Sequence, residues 1–446
     1  MKLNFLKFLL SSIAIFLTSC LATTTDTIAV SSDATFVSLT FTANDSIPYL
    51  NTAVFSLVDS TIVNLDSLPY KTRIDSVFPT FSFTSTSAAF LHNLDTPAND
   101  SILITGKDTI DFNIHYKVRN YASDQISHKD YKIKVNVHKV DPELYIWNKI
   151  TDLDTHQATS QKAVLLKNTI YYYQNNGSTN YLYKSNDGYN WSPSSTVSNL
   201  PNNVTFSDLT VFYDSLYLTN SNLIYKSSNG SDWTAKGVNN YNLKSILFSL
   251  NSKLWAIAQL KSDLSKYYFA SSSDGVIWAV NTSDVIPNNF PTSDFSALSF
   301  SARTGKPKAI VIGGKNSNGK MGSWSTENGT YWVPFGDENH TLDTLAVGSS
   351  IIAYDNKLLL FGIKTNGTTH LKESIDEGLS WKMPNKKYNY IKDYQARSYQ
   401  SALIFKPNDD DKSYGANRIF LIGGQDETTV FSDVWTGKLN RKNFLR

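Results

Sequence analysis

Apolar and polar residues alternate with period two in short runs from about residue 34 to the end of the chain, as in β-strands with one face buried and one wet. Phe36, Ser38 and Thr40 oppose Val37, Leu39 and Phe41. In the run that closes the first region, Tyr131, Ile133, Val135 and Val137 face one way, and Lys132, Lys134, Asn136 and His138 face the other. With the runs Ala53–Val58, Ile102–Thr105 and Phe112–Val118, about seven short strands fall within residues 34–141, and a β-sandwich buries one face of each. No long helical period follows the first 20 residues.

Residues 142–446 carry a second pattern laid over the first. Five times a turn residue is followed by glycine, two residues and tryptophan: Asp187-Gly188 to Trp191, Asn229-Gly230 to Trp233, Asp274-Gly275 to Trp278, Asn328-Gly329 to Trp332, and Glu377-Gly378 to Trp381. Glycine is only 21 of 446 residues, so its fixed place before tryptophan marks an internal repeat. Each unit has a first strand with a serine among aliphatic residues, as at Ser207-Asp208-Leu209, Ser245-Ile246-Leu247, Ser296-Ala297-Leu298 and Ser401-Ala402-Leu403. A second, apolar strand follows, as at Lys253–Ala256, Ala309–Ile312 and Arg418–Ile422; a third enters the glycine turn, and the tryptophan opens a fourth. Four antiparallel strands in about 42 to 54 residues is the spacing of a β-propeller blade. Asn-Gly and Asp-Gly accept the positive φ of a tight hairpin, and a tryptophan beyond it buries roughly 150–250 Å² between neighbouring sheets.

The two ends of the repeat suggest how it closes. The last unit, Val430–Leu439, aligns Trp435 with third-strand Trp324 and has no glycine-turn tryptophan after it, while an unpaired strand, Leu144–Ile150 with Trp147, precedes the first unit. Borrowing that strand for the last blade hides both edges and closes a ring of six. Trp147, Trp191, Trp233, Trp278, Trp332 and Trp381 are then the structural markers, with seven blades as the alternative count. The expected fold is all-β: an N-terminal β-sandwich at residues 34–141, followed by a six-bladed β-propeller at 142–446 closed by an N-terminal strand.

Ahead of both regions, Lys2 and Lys7 flank the apolar run Phe8–Leu17, which is followed by Thr18-Ser19-Cys20. This reads as an export signal, too short for a usual membrane span. It resembles a bacterial lipoprotein signal, and the resemblance implies cleavage before Cys20, lipidation of Cys20, a spacer at 21–33 and a membrane partner through the lipid. An ordinary secretory signal or a core segment is the alternative. Cys20 is the single cysteine, so once lipidated the chain has no thiol for disulfides or metal. Lys and Arg number 41 against 39 Asp and Glu, and both lysines of the surplus lie in the signal. The remainder is balanced, without a basic stripe, so nucleic acid is not an expected partner. Aspartate followed by Ser or Thr recurs at Asp26, Asp45, Asp59, Asp66, Asp75, Asp100 and Asp108. These triplets are similar to an O-glycosylation signal of exported Bacteroidota proteins, and they also read as turn chemistry at strand entries.

The turn at Ser374-Ile375-Asp376-Glu377-Gly378-Leu379-Ser380-Trp381 resembles the Asp-box of sialidase-type propellers, and Gly313-Gly314 and Gly423-Gly424 resemble Kelch repeats. The layout is similar to Bacteroidota lipoproteins of unknown function with an Ig-like N-terminal module and a Kelch-like or sialidase-like propeller. A sialidase would hold a carboxylate with three converging arginines. Of Arg303, Arg397 and Arg418 only Arg397 lies in a blade connection. His156, His340 and His370 stand apart in the sequence, and Asp409-Asp410-Asp411 reads as a solvated tip. No catalytic residue, metal ligand or cofactor is expected.

Strands one and three of a blade run the same way, so the glycine turns share a rim with the first turns, and ligands are expected on the opposite rim, where the blade connections and the channel mouth lie. Amides and flat rings there, in Asn239-Asn240-Tyr241-Asn242 and Asn385–Tyr390, suit carbohydrate and equally suit plain loops. Tyr241, Asn242, Tyr388, Tyr390 and Arg397 are the candidate ligand-binding residues. The expectation is an outer-membrane, lipid-anchored envelope protein that binds glycan or protein without catalysis. The alternative is a glycoside hydrolase or lyase, for which two carboxylates about 5–10 Å apart at the mouth would speak. A purely structural component predicts no pocket on that rim.

Overall fold

The computed structural model describes residues 30–440, apart from 45–46, 48, 97–100, 140, 142–143, 238–239, 316–322, 336–346, 366–367, 385–390, 392 and 408–416. The signal-like run, Cys20, His340, Tyr388, Tyr390 and Asp409–Asp411 lie outside the described residues. The chain forms two compact units that meet between residue 140 and Asp141.

In the first unit, Phe36–Phe41 pairs with Pro79–Phe83 as a two-stranded ribbon. Phe55–Val58, Thr61–Asn64, His128–Lys134, Tyr116–Tyr121, Ala88–Asn93 and Ser101–Leu103 pair in that spatial order as a six-stranded sheet. Its pairs are antiparallel except Thr61–Asn64 with His128–Lys134. Phe36, Leu39 and Phe41 of the ribbon pack on Ile62, Leu91, Val118 and Ile133 of the sheet, a sandwich of unequal layers around one core. Tyr131 and Ile133 are buried and Lys132 and Lys134 exposed, as the alternation requires. The run expected at Phe112–Val118 becomes strand only at Tyr116. Phe112 enters the core from a loop, its amide held by the Ile74 carbonyl at 2.7 Å, so apolar spacing alone overstated the strand.

The second unit contains six sheets in chain order. Blade I is Ser160–Leu166, Thr169–Asn175, Asn180–Ser185 and Ser195–Thr196; blade II is Thr210–Phe212, Ser215–Asn220, Leu223–Ser227 and Thr234–Gly237. Blade III is Tyr241–Leu250, Lys253–Leu260, Asp263–Ser272 and Ala279–Val285; blade IV is Ser293–Ser301, Pro307–Lys315, Ser323–Thr326 and Val333–Phe335. Blade V has Ser350–Tyr354, Lys357–Thr365 and Thr368–Ser374, with Lys382 bridging to Glu373 where a fourth strand would run. Blade VI is Ser401–Phe405, Arg418–Gln425 and Val430–Leu439, completed by Tyr145–Asp152 from the start of the unit. In that closing pair Trp147 lies opposite Gly437 and Tyr145 opposite Leu439.

Six hydrophobic cores fill the six spaces between blades, and one marker tryptophan enters each: Trp233 between blades I and II, Trp278 between II and III, Trp332 between III and IV, Trp381 between IV and V, Trp147 between V and VI, and Trp191 between VI and I. The glycine turns form the other half of the joint. In each, a hydroxyl on the third strand (Ser185, Ser227, Ser272, Thr326 or Ser374) accepts the glycine amide at 2.8–2.9 Å. An oxygen of Asp187, Asn229, Asp274, Asn328 or Asp376 accepts amides from the residues that follow the glycine. The turn then lies flat on a second-strand side chain of the preceding blade. A Cβ on Gly275 would sit 2.3 Å from the Tyr217 ring, and one on Gly329 2.2 Å from Trp255. Glycine is needed there for contact as well as for its φ of +75° or +77°.

Candidate functional site at the channel mouth

The first strand of each blade neighbours the first strand of the next all the way round, so these six strands line the central channel. At their leading ends, polar side chains tie each blade to its successor. The Ser160 hydroxyl accepts the Phe206 amide at 2.8 Å, and the Asp208 carboxylate accepts the Ile246 amide at 3.1 Å. Ser245 donates to the Thr292 carbonyl at 3.2 Å, and Ser296 accepts from Ile351 at 2.8 Å. Ser350 accepts from Ala402 at 3.0 Å, and Ser401 accepts from Ala163 at 2.7 Å. Six bonds thus complete a ring, which explains the repeated serine at 245, 296 and 401; in blade II Asp208, beside Ser207, makes the tie. Each satisfies a buried donor or acceptor that would otherwise cost about 1–3 kcal/mol.

Inside this ring, on the rim formed by the blade connections, lies a cavity of about 400 Å³. Its wall is mostly hydroxyl and amide: Thr159, Ser160, Gln161, Thr205, Ser207, Ser349, Gln400 and Gln425. Tyr399 and Phe295 add two rings, Lys162 one cation, and Asp294 the one carboxylate among the described lining residues. The backbone there is strained. Asp294, Gly348 and Tyr399, each two residues ahead of a ring serine, have φ of +54°, +70° and +58°. They are chained across blades IV, V and VI by Gly348 N–H to the Asp294 carbonyl at 3.1 Å and Tyr399 N–H to the Gly348 carbonyl at 2.6 Å. Non-glycine residues held in the left-handed region cost of order 1–3 kcal/mol and cluster at binding sites.

The charges of the mouth are unevenly compensated. Asp294 meets Lys315 at 2.8 Å, and that partnership raises the lysine's pKa. Asp208 is buried in the ring, where desolvation raises its pKa to about 6 against the opposing hydrogen bonds from Thr219 and Ile246. Desolvation lowers the pKa of Lys162, with Asp208 pushing it back up. The surface that half-buried Lys162 exposes is cavity surface.

Of the residues singled out from the sequence, Tyr241 and Asn242 open the first strand of blade III on this rim, half-buried and outside the cavity wall, with Tyr241 against the core between blades II and III. Arg397 requires a correction. It is only 1% exposed, and its guanidinium forms a two-bonded ion pair with Asp433, one bond measuring 3.1 Å. It also donates to the Gln395 carbonyl at 3.0 Å and is sandwiched between Tyr394 and Phe431, 4.2 and 3.8 Å from their ring centroids. An arginine so enclosed braces blade VI instead of reaching a ligand. The residues that do line the mouth are commonplace Ser, Thr and Gln, and only the register of the first strands reveals them. Among the described residues no cluster of His, Cys, Asp and Glu is arranged to hold a metal.

Fold and closure define the class: a six-bladed β-propeller behind an all-β N-terminal module. Within that class the chain belongs to the DUF6242 family: residues 141–446 match the DUF6242 beta propeller domain, and residues 23–135 match the domain of unknown function (DUF6242) N-terminal domain. No curated protein matches. Among solved structures, Trypanosoma rangeli sialidase is 11% identical with a TM-score of 0.39, over 63% of this chain and 54% of its own. The endo-arabinase from Bacteroides thetaiotaomicron is 11% identical with a TM-score of 0.33, over 65% and 97%. Aleuria aurantia lectin is 11% identical with a TM-score of 0.37, over 64% and 96%. The match spans about half the length of the sialidase, and likenesses this distant carry no argument about chemistry.

Proposed function

We propose that the propeller binds a glycan at the channel mouth without transforming it, and that the protein is a lipid-anchored binding component of the cell envelope with an Ig-like N-terminal module. The observation that carries the reading is the cavity wall: hydroxyls and amides suited to sugar hydroxyls, with a single carboxylate among its described residues, already engaged by Lys315. Glycosidic hydrolysis by the usual route asks for two carboxyl groups with different protonation. The lipid anchor rests on the run ending at Cys20.

A glycan array probed with the full chain, followed by calorimetry on the hits, tests the binding. Ser207 is exposed on the cavity wall, so Ser207→Trp fills the mouth without touching the core and should weaken binding at least tenfold. Unchanged affinity would place the ligand elsewhere. Mass spectrometry of each bound oligosaccharide after prolonged incubation separates binding from catalysis: shortened or unsaturated products would favour the hydrolase or lyase. Cys20→Ser should move the protein from the membrane fraction to the soluble fraction, and retention in the membrane would refute the anchor.

A further inference from the structure

In blades III, IV, V and VI the ring serine occupies one register position. Ser245, Ser296, Ser350 and Ser401 pair with Ile257, Ile312, Phe361 and Ile422, the residue just before an alanine or glycine in the second strand. In blade I Lys162 pairs with Tyr173, which precedes Gln174 instead of a small residue, so the second strand does not mark the position there. The tie marks it instead: the amide of the next residue, Ala163, donates to Ser401 of the preceding blade, as the amides of Ile246, Ile351 and Ala402, each following a ring serine, donate to Asp208, Ser296 and Ser350. Blade I makes its own tie from Ser160, two residues earlier on the same face. Lys162 is therefore free of the structural duty of its position.

Its ammonium has no hydrogen bond or ion pair among the described residues. The charged and titratable groups of the surrounding blades are otherwise engaged: Asp208 of blade II by Thr219 and Ile246, and Asp294 of blade IV by Lys315, while Tyr399 of blade VI is a ring without charge. On the blade V side Ser349, 7% exposed as a residue, lines the same cavity and has a buried hydroxyl without a partner. A desolvated cation and an unsatisfied hydroxyl in one cavity form a site incomplete without an acceptor.

We infer that the channel mouth selects a negatively charged sugar, whose anionic group is taken by Lys162 with Ser349 donating to it. This rests on the glycan reading above and narrows it to acidic residues. The anion completes the shell that Lys162 lacks, while Thr205, Ser207 and Gln425 on the same wall are left for ring hydroxyls. A carboxylate and a sulfate ester present the same chemistry to these donors.

Ligand-observed NMR with glucuronic acid, glucose 6-sulfate and glucose separates the cases. Wild-type protein should bind at least one acidic sugar about tenfold or more tightly than glucose. A preference confined to glucuronic acid assigns the carboxylate, and one confined to glucose 6-sulfate assigns the ester. Lys162→Ser, which installs the residue of blades III to VI, should bring acidic and neutral sugars within twofold by lowering the acidic affinity, and should not lower the unfolding midpoint. Ser349→Ala should reduce the acidic preference by a smaller factor. Equal binding of acidic and neutral sugars by wild type, or a preference that survives in Lys162→Ser, overturns the inference and spares the glycan reading. Binding of none of the three sugars overturns both.

Discussion

Replacing Gly275 with alanine and comparing the loss with that at Gly305 separates two reasons why a turn demands glycine. Both have left-handed backbone, φ +75° and +78°, but nothing lies within 4 Å of a Cβ built on Gly305, whereas one on Gly275 falls 2.3 Å from Cε1 and 2.6 Å from Cζ of Tyr217. Left-handed backbone costs an alanine about 1–2 kcal/mol, partly offset by about 0.4–1 kcal/mol from a stiffer unfolded chain. Gly305→Ala should therefore cost about 1 kcal/mol or less. At Gly275 the ring cannot retreat: Tyr217 is 2% exposed, bonds the Asp274 carbonyl at 3.2 Å and lies under Lys226. Carbon atoms settle about 3.5–4 Å apart, so the turn or the ring must shift by more than 1 Å, and overpacking of that kind costs a further 1–3 kcal/mol or so. Gly275→Ala should then lose about 2–4 kcal/mol in all. Thermal unfolding followed by tryptophan fluorescence reads this cleanly, because all nine tryptophans lie at residue 147 or beyond and report the propeller alone. At about 2–4 °C per kcal/mol, Gly275→Ala should lower Tm by at least about 4 °C, and by at least twice the loss at Gly305→Ala. Tyr217→Ala in the same chain should recover part of the excess, since the two substitutions share one contact. Equal losses at the two glycines, or no coupling with Tyr217, would refute the joint between blades and leave φ as the only reason for glycine.

Three further outcomes follow from the same geometry. Arg397→Met should destabilise the propeller by about 3–5 kcal/mol in chemical denaturation by stranding the Asp433 carboxylate, and adding Asp433→Leu should restore much of it. A chain beginning after Asp152 should expose the edge of Val430–Leu439 and self-associate in light scattering, whereas one beginning at Asp141 should remain a monomeric propeller. The folded-state pKa of Asp208, about 6, lies above the ordinary 3.8, so the folded protein holds this proton more tightly than the unfolded chain and stability is lost as pH rises from about 4 to 6. Asp208→Asn, which keeps an acceptor for Ile246, should flatten that slope in denaturant titrations from pH 4 to 7, and a slope identical to wild type would remove Asp208 from the account.

The fold was legible because its causes are local and repeated. Gly-x-x-Trp recurs because the same joint is built between five of the six neighbouring pairs of blades, and the missing fourth strand after Trp435 could be matched to the spare strand at Trp147 because an open sheet edge needs a partner. What the spacing could not show is the third dimension of the turn. Asp187, Asn229, Asp274 and Asn328 stand one residue nearer the glycine than Asp376 does, yet all five make the same kind of side-chain cap, because one residue of displacement does not remove the oxygen from reach of the amides. Arg397 misled for the opposite reason. A blade connection is mostly a surface feature, but this one folds inward, and a partner as far along the chain as Asp433 is invisible to any local pattern.

The site was least legible because it lies where the repeat breaks. A six-fold ring is satisfied when each blade supplies one polar tie, and four blades do so with serine at one register position. Blade II substitutes Asp208, whose carboxylate still makes the tie and also accepts from Thr219. Blade I moves the tie to Ser160 and leaves a lysine in its place. Closure gains nothing from that lysine, and its desolvation is a cost that serine would avoid. A departure that charges the fold without strengthening it is what the acidic ligand proposed above would account for, which makes the register of such a departure in a repeat protein the first place to look for a site.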